Sequence, residues 1–120
     1  MAILSEVMRT YVNPCEPGWT PSEHVQWIER VARCLHELIP GSVHAPNLVH
    51  LHVGNLIVTI APDSAYTVSM RLQTRERHFL TDGQVAALPI DWDENYLTVD
   101  CDDVLNVVTD IRRRLDPSSV

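Results

Sequence analysis

The sequence NLVHLHVGNLIVTIAPDSAYTVSMRL, residues 47–72, decides the fold because its apolar residues recur at every second position. A Gly-Asn pair at 54–55 and a Pro-Asp-Ser run at 62–64 interrupt this alternation with residues that favour turns. If the first turn takes two residues, Val53 lies opposite Leu56, and the apolar sides of consecutive strands coincide. A slip of one residue would send every side chain to the wrong face. The segment therefore predicts an antiparallel meander with a buried face and a wet face.

The two faces of this meander carry different chemistry. The side chains expected on the buried face are Val49, Leu51, Val53, Leu56, Val58, Ile60, Tyr66, Val68, Met70 and Leu72. The side chains expected on the polar face include His50, His52, Thr67, Ser69 and Arg71. An apolar side of this size has to be covered by other elements of the chain.

Two helices with apolar stripes are available to cover that side. The sequence TPSE at 20–23 has the form of a capping box with proline at the first helical position, and it opens a helix predicted over 20–39. A second helix is predicted over 102–115, with three arginines in its last turns and Pro117 beyond them. Residues 1–19 are predicted to form a short N-terminal helix, with apolar residues from Leu4 to Val12, followed by a loop.

The segment between the meander and the last helix has a weaker pattern. Residues 74–80 either extend the third strand or form a fourth, and residues 84–88 are ambiguous between loop and short helix. A short strand is predicted over 96–100. The whole chain, 1–120, is predicted to be a single α+β domain. It has an antiparallel β-meander (47–80) of three to five strands, two main helices packed on one face and a short N-terminal helix.

Charge and composition exclude several classes of function. Nine arginines and sixteen acidic residues give a net charge of −7, which disfavours binding to nucleic acid. The apolar stretches are too short to span a membrane, and the N-terminus lacks the pattern of a secretory signal. The odd count of three cysteines, without a C-x-x-C pair, favours reduced thiols and a cytoplasmic protein.

His50 and His52 are the candidate metal ligands. Two positions apart on one strand, they project from the same face at a spacing that a metal ion can bridge. The pattern has no third or fourth ligand at a diagnostic spacing, so a solvent-facing pair across the hairpin from Ile57 and Thr59 is the preferred interpretation. No other cofactor is expected.

The acidic segment Asp91-Trp92-Asp93-Glu94-Asn95 begins like a calcium-binding loop. Tyr96 stands where that loop needs glycine for its bend, so a solvated acidic turn is the preferred interpretation. Trp92, among these carboxylates, is either a core anchor or an interface residue.

No catalytic residues are assigned, because the sequence contains neither a nucleophile motif nor a glycine-rich phosphate loop. Arg71, Arg75, Arg77 and His78 are expected to form a local positive strip along the third strand. Such a strip is suited to one phosphate or to a partner's carboxylates.

The sequence thus favours a small acidic protein-binding module of the inhibitor, immunity-protein, adaptor or chaperone type over an enzyme. One candidate surface for a protein partner is the polar sheet face with His50, His52, Thr67, Ser69 and Arg71. The other is Asp91, Trp92, Asp93 and Glu94, which suits a basic partner. A second copy of the chain, in a homodimer, is a further candidate partner. The alternatives are a metal-binding protein or small metalloenzyme that uses His50 and His52, and a phage or oligomer-forming assembly subunit.

Overall fold

The computed structural model describes residues 4–11, 18 and 20–115. Val12, most of the predicted loop at 13–18 and the predicted helix stop at Pro117 lie outside the described residues. Within the described ranges, five strands and four α-helices follow one another along the chain.

The five strands form one sheet whose spatial order follows the chain. They are β1 (Val43–Ala45), β2 (Leu48–Val53), β3 (Leu56–Pro62), β4 (Thr67–Thr74) and β5 (Tyr96–Asp100). Each strand pairs antiparallel with the next one. The predicted α+β meander is confirmed, at the upper end of its range of three to five strands.

The predicted register of the first hairpin is confirmed. Val53 pairs with Leu56 and Leu51 pairs with Val58 across a two-residue turn. Gly54 in this turn has a φ of 56°, in the left-handed region that favours glycine. A Cβ atom at this position would lie 3.1 Å from the carbonyl oxygen of Leu115, a tight contact that also favours glycine.

The helices are α1 (Leu4–Met8), α2 (Pro21–Leu38), α3 (Asp82–Ala86) and α4 (Val104–Leu115), which follows a 3₁₀ turn (Cys101–Asp103). The predicted capping box begins α2: the backbone N–H of Glu23 donates to Thr20 Oγ1, and the backbone N–H of Thr20 donates to Glu23 Oε2. The α2 helix packs on β1, β2 and β3, and α4 packs on β2 and β5. None of the described helices is both long enough and apolar enough to cross a membrane.

The core lies between these helices and one face of the sheet. The expected alternation places Val49, Leu51, Val58, Ile60, Met70 and Leu72 there, each with at most 1% of its surface exposed. Burial of an aliphatic side chain of this kind stabilises a fold by about 1.5–3 kcal/mol. The expectation for Tyr66 was wrong: it precedes β4 and is 65% exposed, because the strand begins one residue later, at Thr67.

The segment that the sequence left ambiguous forms a turn, a bridge and a short helix. The third strand of the meander, β4, ends at Thr74, and after a tight turn Phe79 pairs with Gln73 in an isolated bridge. The α3 helix begins at Asp82 because Thr81 and Gln84 form a second capping box.

The sheet face opposite the core is covered by none of the described helices, and we call it the open face. Its side chains, fixed by the cross-strand pairing, include His50, His52, Ile57, Thr59, Ser69, Arg71, Gln73, Tyr96 and Thr98. Both histidines therefore point away from the helices. All of these side chains except Ile57 are exposed or half-buried.

Candidate functional site on the open face

A groove of about 420 Å³ crosses the open face from β2 to β5. Its lining combines side chains of β2, β3 and β4 with two aromatic rings, those of Phe79 and Tyr96, and with Arg77 from the turn after β4. The residues on which its chemistry depends are His50, Thr59, Arg71, Gln73, Arg77, Phe79 and Tyr96.

Arg71 lies between two aromatic rings of the groove. Its guanidinium carbon is 5.1 Å from the centre of the Tyr96 ring and 5.2 Å from the centre of the Phe79 ring. Each such cation–π contact is worth about 0.5–1 kcal/mol at an exposed site. The two rings restrict the guanidinium, and Arg71 forms no ion pair with any described residue. The site therefore presents a partly ordered, uncompensated cation.

Hydrogen bonds connect the strands beside Arg71. Thr59 Oγ1 donates to Gln73 Oε1 at 2.9 Å, and the same oxygen lies 3.5 Å from Nδ1 of His50. Since the proton of Thr59 is directed to Gln73, its oxygen can accept from His50 when Nδ1 is protonated. The amide NH₂ of Gln73 remains available as a donor in the groove.

The charge of His50 is suppressed by its surroundings. Partial burial lowers the pKa of this imidazole below its ordinary value of 6.5, and the charges of Arg77 and His52 lower it further. His50 is therefore predominantly neutral at neutral pH, and the positive charge of the groove comes from Arg71 and Arg77.

Arg77 has an unusual backbone conformation. Its φ is 68°, and it is the one non-glycine residue with a positive φ among those that the structure describes. It closes the turn in which the N–H of Thr74 donates to the carbonyl of His78, a position where glycine is normally preferred. An arginine there costs about 1–2 kcal/mol relative to a relaxed backbone. Strain of this kind often accompanies a functional side chain.

The groove is positive on an otherwise acidic protein. It is lined by one carboxylate of the described residues, that of Asp63 in the β3–β4 turn, which accepts a hydrogen bond from Thr67 Oγ1 at 3.3 Å. By contrast, residues 78–111 contain eight acidic residues and no arginine or lysine. Charge is thus uneven along the chain, and the three arginines in the last turn of α4 follow this acidic stretch.

The second predicted surface lies on the helix side of the sheet. Trp92 is half-buried and packs against the core, in a shallow cleft between β5 and α4 that is also lined by Asp91, Asp103 and Asp110. Asp91 lies 3.5 Å from Arg114, while Asp93 and Glu94 are exposed and form no ion pair with a described residue. The structure therefore brings His50, Ser69 and Arg71 together in the groove, with His52 and Thr67 farther along the same face. Asp91, Trp92, Asp93 and Glu94 are separate from that site.

Metal binding and cysteine reactivity both have little support from the groups around the histidine and cysteine side chains concerned. No cluster of three or more His, Cys, Asp or Glu side chains that could hold a metal ion occurs among residues 4–11, 18 and 20–115. A metal ion on His50 and His52 remains a prediction that would need ligands from another molecule or from the rest of the chain. Burial and Glu37 raise the pKa of the Cys34 thiol, and burial with Asp102 and Asp100 raises that of Cys101, so both thiolates are disfavoured.

The sequence did not predict Phe79 and Tyr96 as ring partners of Arg71, nor Gln73 as the hydrogen-bond partner of Thr59. Tyr96 was assigned to a strand, but its position opposite Arg71 depends on the pairing of β4 with β5, which are 21 residues apart along the chain. The alternation of β4 does place Gln73 on the same face as Arg71, so this position could be predicted from the sequence.

Comparison with known proteins adds no functional information, since the chain matches no protein-family model, no curated protein and no solved structure.

Proposed function

We propose that this protein is a protein-binding module that contacts its partner through the open face of the sheet. The observation that carries the proposal is the groove with Arg71 between Phe79 and Tyr96. Arginine and aromatic residues are the side chains that most often dominate protein–protein binding energy. Here they lie on a sheet face that no described helix covers.

The hydrogen-bonding potential of the groove supports the same proposal. Thr59, Gln73 and Ser69 are half-buried polar residues that surround the arginine. A few polar groups within a partly apolar groove are typical of a specific recognition surface. Among the described residues, the groove is lined by a single carboxylate, that of Asp63, and so lacks the pair of carboxyl groups that many acid–base mechanisms use. The protein then belongs with inhibitors, immunity proteins, adaptors or chaperones rather than with enzymes.

Site-specific photocrosslinking tests this proposal. A benzophenone amino acid replaces Thr98, which is exposed on the open face, and in a matched control it replaces Glu29, which is exposed on α2. In extract of the source cells, we expect a discrete protein adduct from position 98 and none from position 29. Adducts from position 29 alone, or none from either, would contradict docking on the open face.

The acidic surface around Trp92 is a second candidate for partner binding, and the proposal there is a basic protein partner. Seven of the eight acidic residues in 78–111 lie between Asp91 and Asp110, and Arg113 and Arg114 pair with only two of them. Charge complementarity of this kind mainly accelerates association. A benzophenone at Asp93 distinguishes this surface, because it would give adducts where position 98 gives none.

The remaining alternatives have their own measurements. Elemental analysis of protein purified without chelator would reveal stoichiometric metal if His50 and His52 hold one. Light scattering would reveal a homodimer or a larger assembly subunit. We also propose that the protein is cytoplasmic, because its odd number of cysteines favours reduced thiols over a set of disulfides.

A further inference from the structure

We propose that the groove of the open face recognises a short, extended acidic segment, with a partner carboxylate bound by Arg71 and Arg77. This inference rests on the proposed function and specifies the chemistry of the partner. It concerns the open face and is independent of a basic partner at Trp92.

The guanidinium of Arg71 is prepared for a planar anion. The centres of the Phe79 and Tyr96 rings lie 5.2 and 5.1 Å from its guanidinium carbon. These contacts leave the N–H donors of the guanidinium without an ion pair to any described residue. A guanidinium presents parallel N–H groups that match the two oxygens of a carboxylate. Because the rings already restrict the side chain, less conformational entropy is lost when the anion binds.

The second cation of the groove strengthens this preference. Arg77 lines the same groove as Arg71 and forms no ion pair with any described residue. Asp63 is the one carboxylate that the described residues place in the lining; it lies in the β3–β4 turn, beyond the strand position at which Arg71 pairs with Thr59, and it accepts a hydrogen bond from Thr67. Two arginines without ion pairs among the described residues, and the neutral donors in the same lining, therefore leave the groove complementary to one or two negative charges.

The dimensions of the groove fit a peptide. It crosses four strands, β2 to β5, and adjacent strands are about 4.8 Å apart, so its length is about 14 Å. An extended chain advances about 3.3 Å per residue, so about four residues span this length. A segment with acidic side chains near one end would place a carboxylate at Arg71 and its backbone beside Thr59 and Gln73.

Nucleic acid fits the same groove less well. Stacking of bases on an open sheet face uses free aromatic faces, and the guanidinium of Arg71 already occupies one face of Phe79 and one face of Tyr96. A net charge of −7 also repels a polyanion at a distance, while two local arginines suffice for a single carboxylate pair. We therefore assign the groove to an acidic peptide.

NMR titration of the whole protein tests the assignment. The probes are the capped peptide acetyl-Gly-Glu-Gly-Glu-Gly-amide, its counterpart with glutamine in place of glutamate, and a hexathymidylate. We expect the glutamate peptide to shift the Nε–Hε signals of Arg71 and Arg77 and the backbone signals of β4 and β5. The glutamine peptide should bind at least about tenfold more weakly, because it lacks the charge-assisted hydrogen bonds.

Charge-matched variants complete the test. Arg71→Gln should weaken binding of the glutamate peptide about tenfold or more, whereas Arg30→Gln, the same charge change on α2, should leave it unaltered. Equal binding of the two peptides, tighter binding of hexathymidylate, or equal effects of the two variants would overturn the inference. If crosslinking from position 98 still yields a partner in those cases, the proposed function stands and only the acidic partner is wrong. Without such adducts, the proposed function fails as well.

Discussion

Arg75 Nη2 donates a hydrogen bond of 2.8 Å to the carbonyl oxygen of Gly54, and this bond connects the turn after β4 to the β2–β3 turn. The arginines of the predicted positive strip therefore have different roles. Arg75 is committed to a backbone carbonyl, whereas Arg71 and Arg77 line the groove. This division can be tested one arginine at a time.

Substitution of Arg75 should affect stability and not recognition. We expect Arg75→Gln to lower the free energy of unfolding by about 1 kcal/mol, because the hydrogen bond between the two turns is lost. Urea denaturation measures this change. The affinity for the glutamate peptide should be the same as in the original protein; a large loss of affinity would place Arg75 in the recognition site.

Substitutions of Arg77 should affect both recognition and stability, because its side chain lines the groove and its backbone is strained. Glycine and alanine both remove the guanidinium, but only glycine adopts a φ of 68° without a steric penalty. We expect Arg77→Gly to be more stable than Arg77→Ala by about 1 kcal/mol in urea denaturation. Both variants should bind the glutamate peptide equally weakly. A more stable alanine variant would show that the turn is not strained.

The ionisation of His50 should respond to Arg77. Burial, Arg77 and His52 all lower the pKa of His50, so Arg77→Gln should raise that pKa towards 6.5, while Arg30→Gln should not. Histidine ring signals in an NMR pH titration report the pKa directly. An unaltered pKa of His50 in Arg77→Gln would show that the charge of Arg77 does not act on His50.

Because the folded state binds the proton of His50 less readily than the unfolded state, His50 should reduce stability as pH falls below about 6.5. His50→Gln should therefore lose less stability than the original protein when pH is lowered from about 7.5 to 5.

The two faces of the sheet should respond differently to truncation. Ile60 is fully buried in the core, and Ile60→Ala should lower the free energy of unfolding by about 2–5 kcal/mol. Thr98 is exposed on the open face, and Thr98→Ala should change it by no more than about 0.5 kcal/mol. Urea denaturation compares the two. Similar costs for both would show that the open face is covered in solution.

The sequence predicted the fold wherever the pattern was local. The pairing of Val53 with Leu56 follows from a two-residue turn and an alternation of apolar residues, both of which can be read from adjacent positions. The beginning of α3 is also encoded locally, because Thr81 and Gln84 have capping-box spacing. By contrast, the three-residue β1 is too short to produce an alternating pattern.

The candidate site was predictable only in part. The alternation of β2 and β4 placed His50, Ser69 and Arg71 on one polar face, and the structure agrees. The aromatic pair around Arg71 was not predictable, because Phe79 follows a turn that lacks glycine at its left-handed position. Tyr96 reaches Arg71 only through the pairing of β4 with β5, which depends on the folded core and not on local sequence.

The order of the strands has a consequence for the speed of folding. The β2–β3 hairpin closes over two residues, whereas β4 and β5 are joined by residues 75–95, so the hairpin costs far less loop entropy and should form first. Truncations in that hairpin, such as Val58→Ala, should mainly slow refolding in stopped-flow measurements. Truncations in β5, such as Val99→Ala, should mainly accelerate unfolding. Because Tyr96 lies on β5, the groove would then be completed in the last step, together with the part of the core to which Val99 contributes.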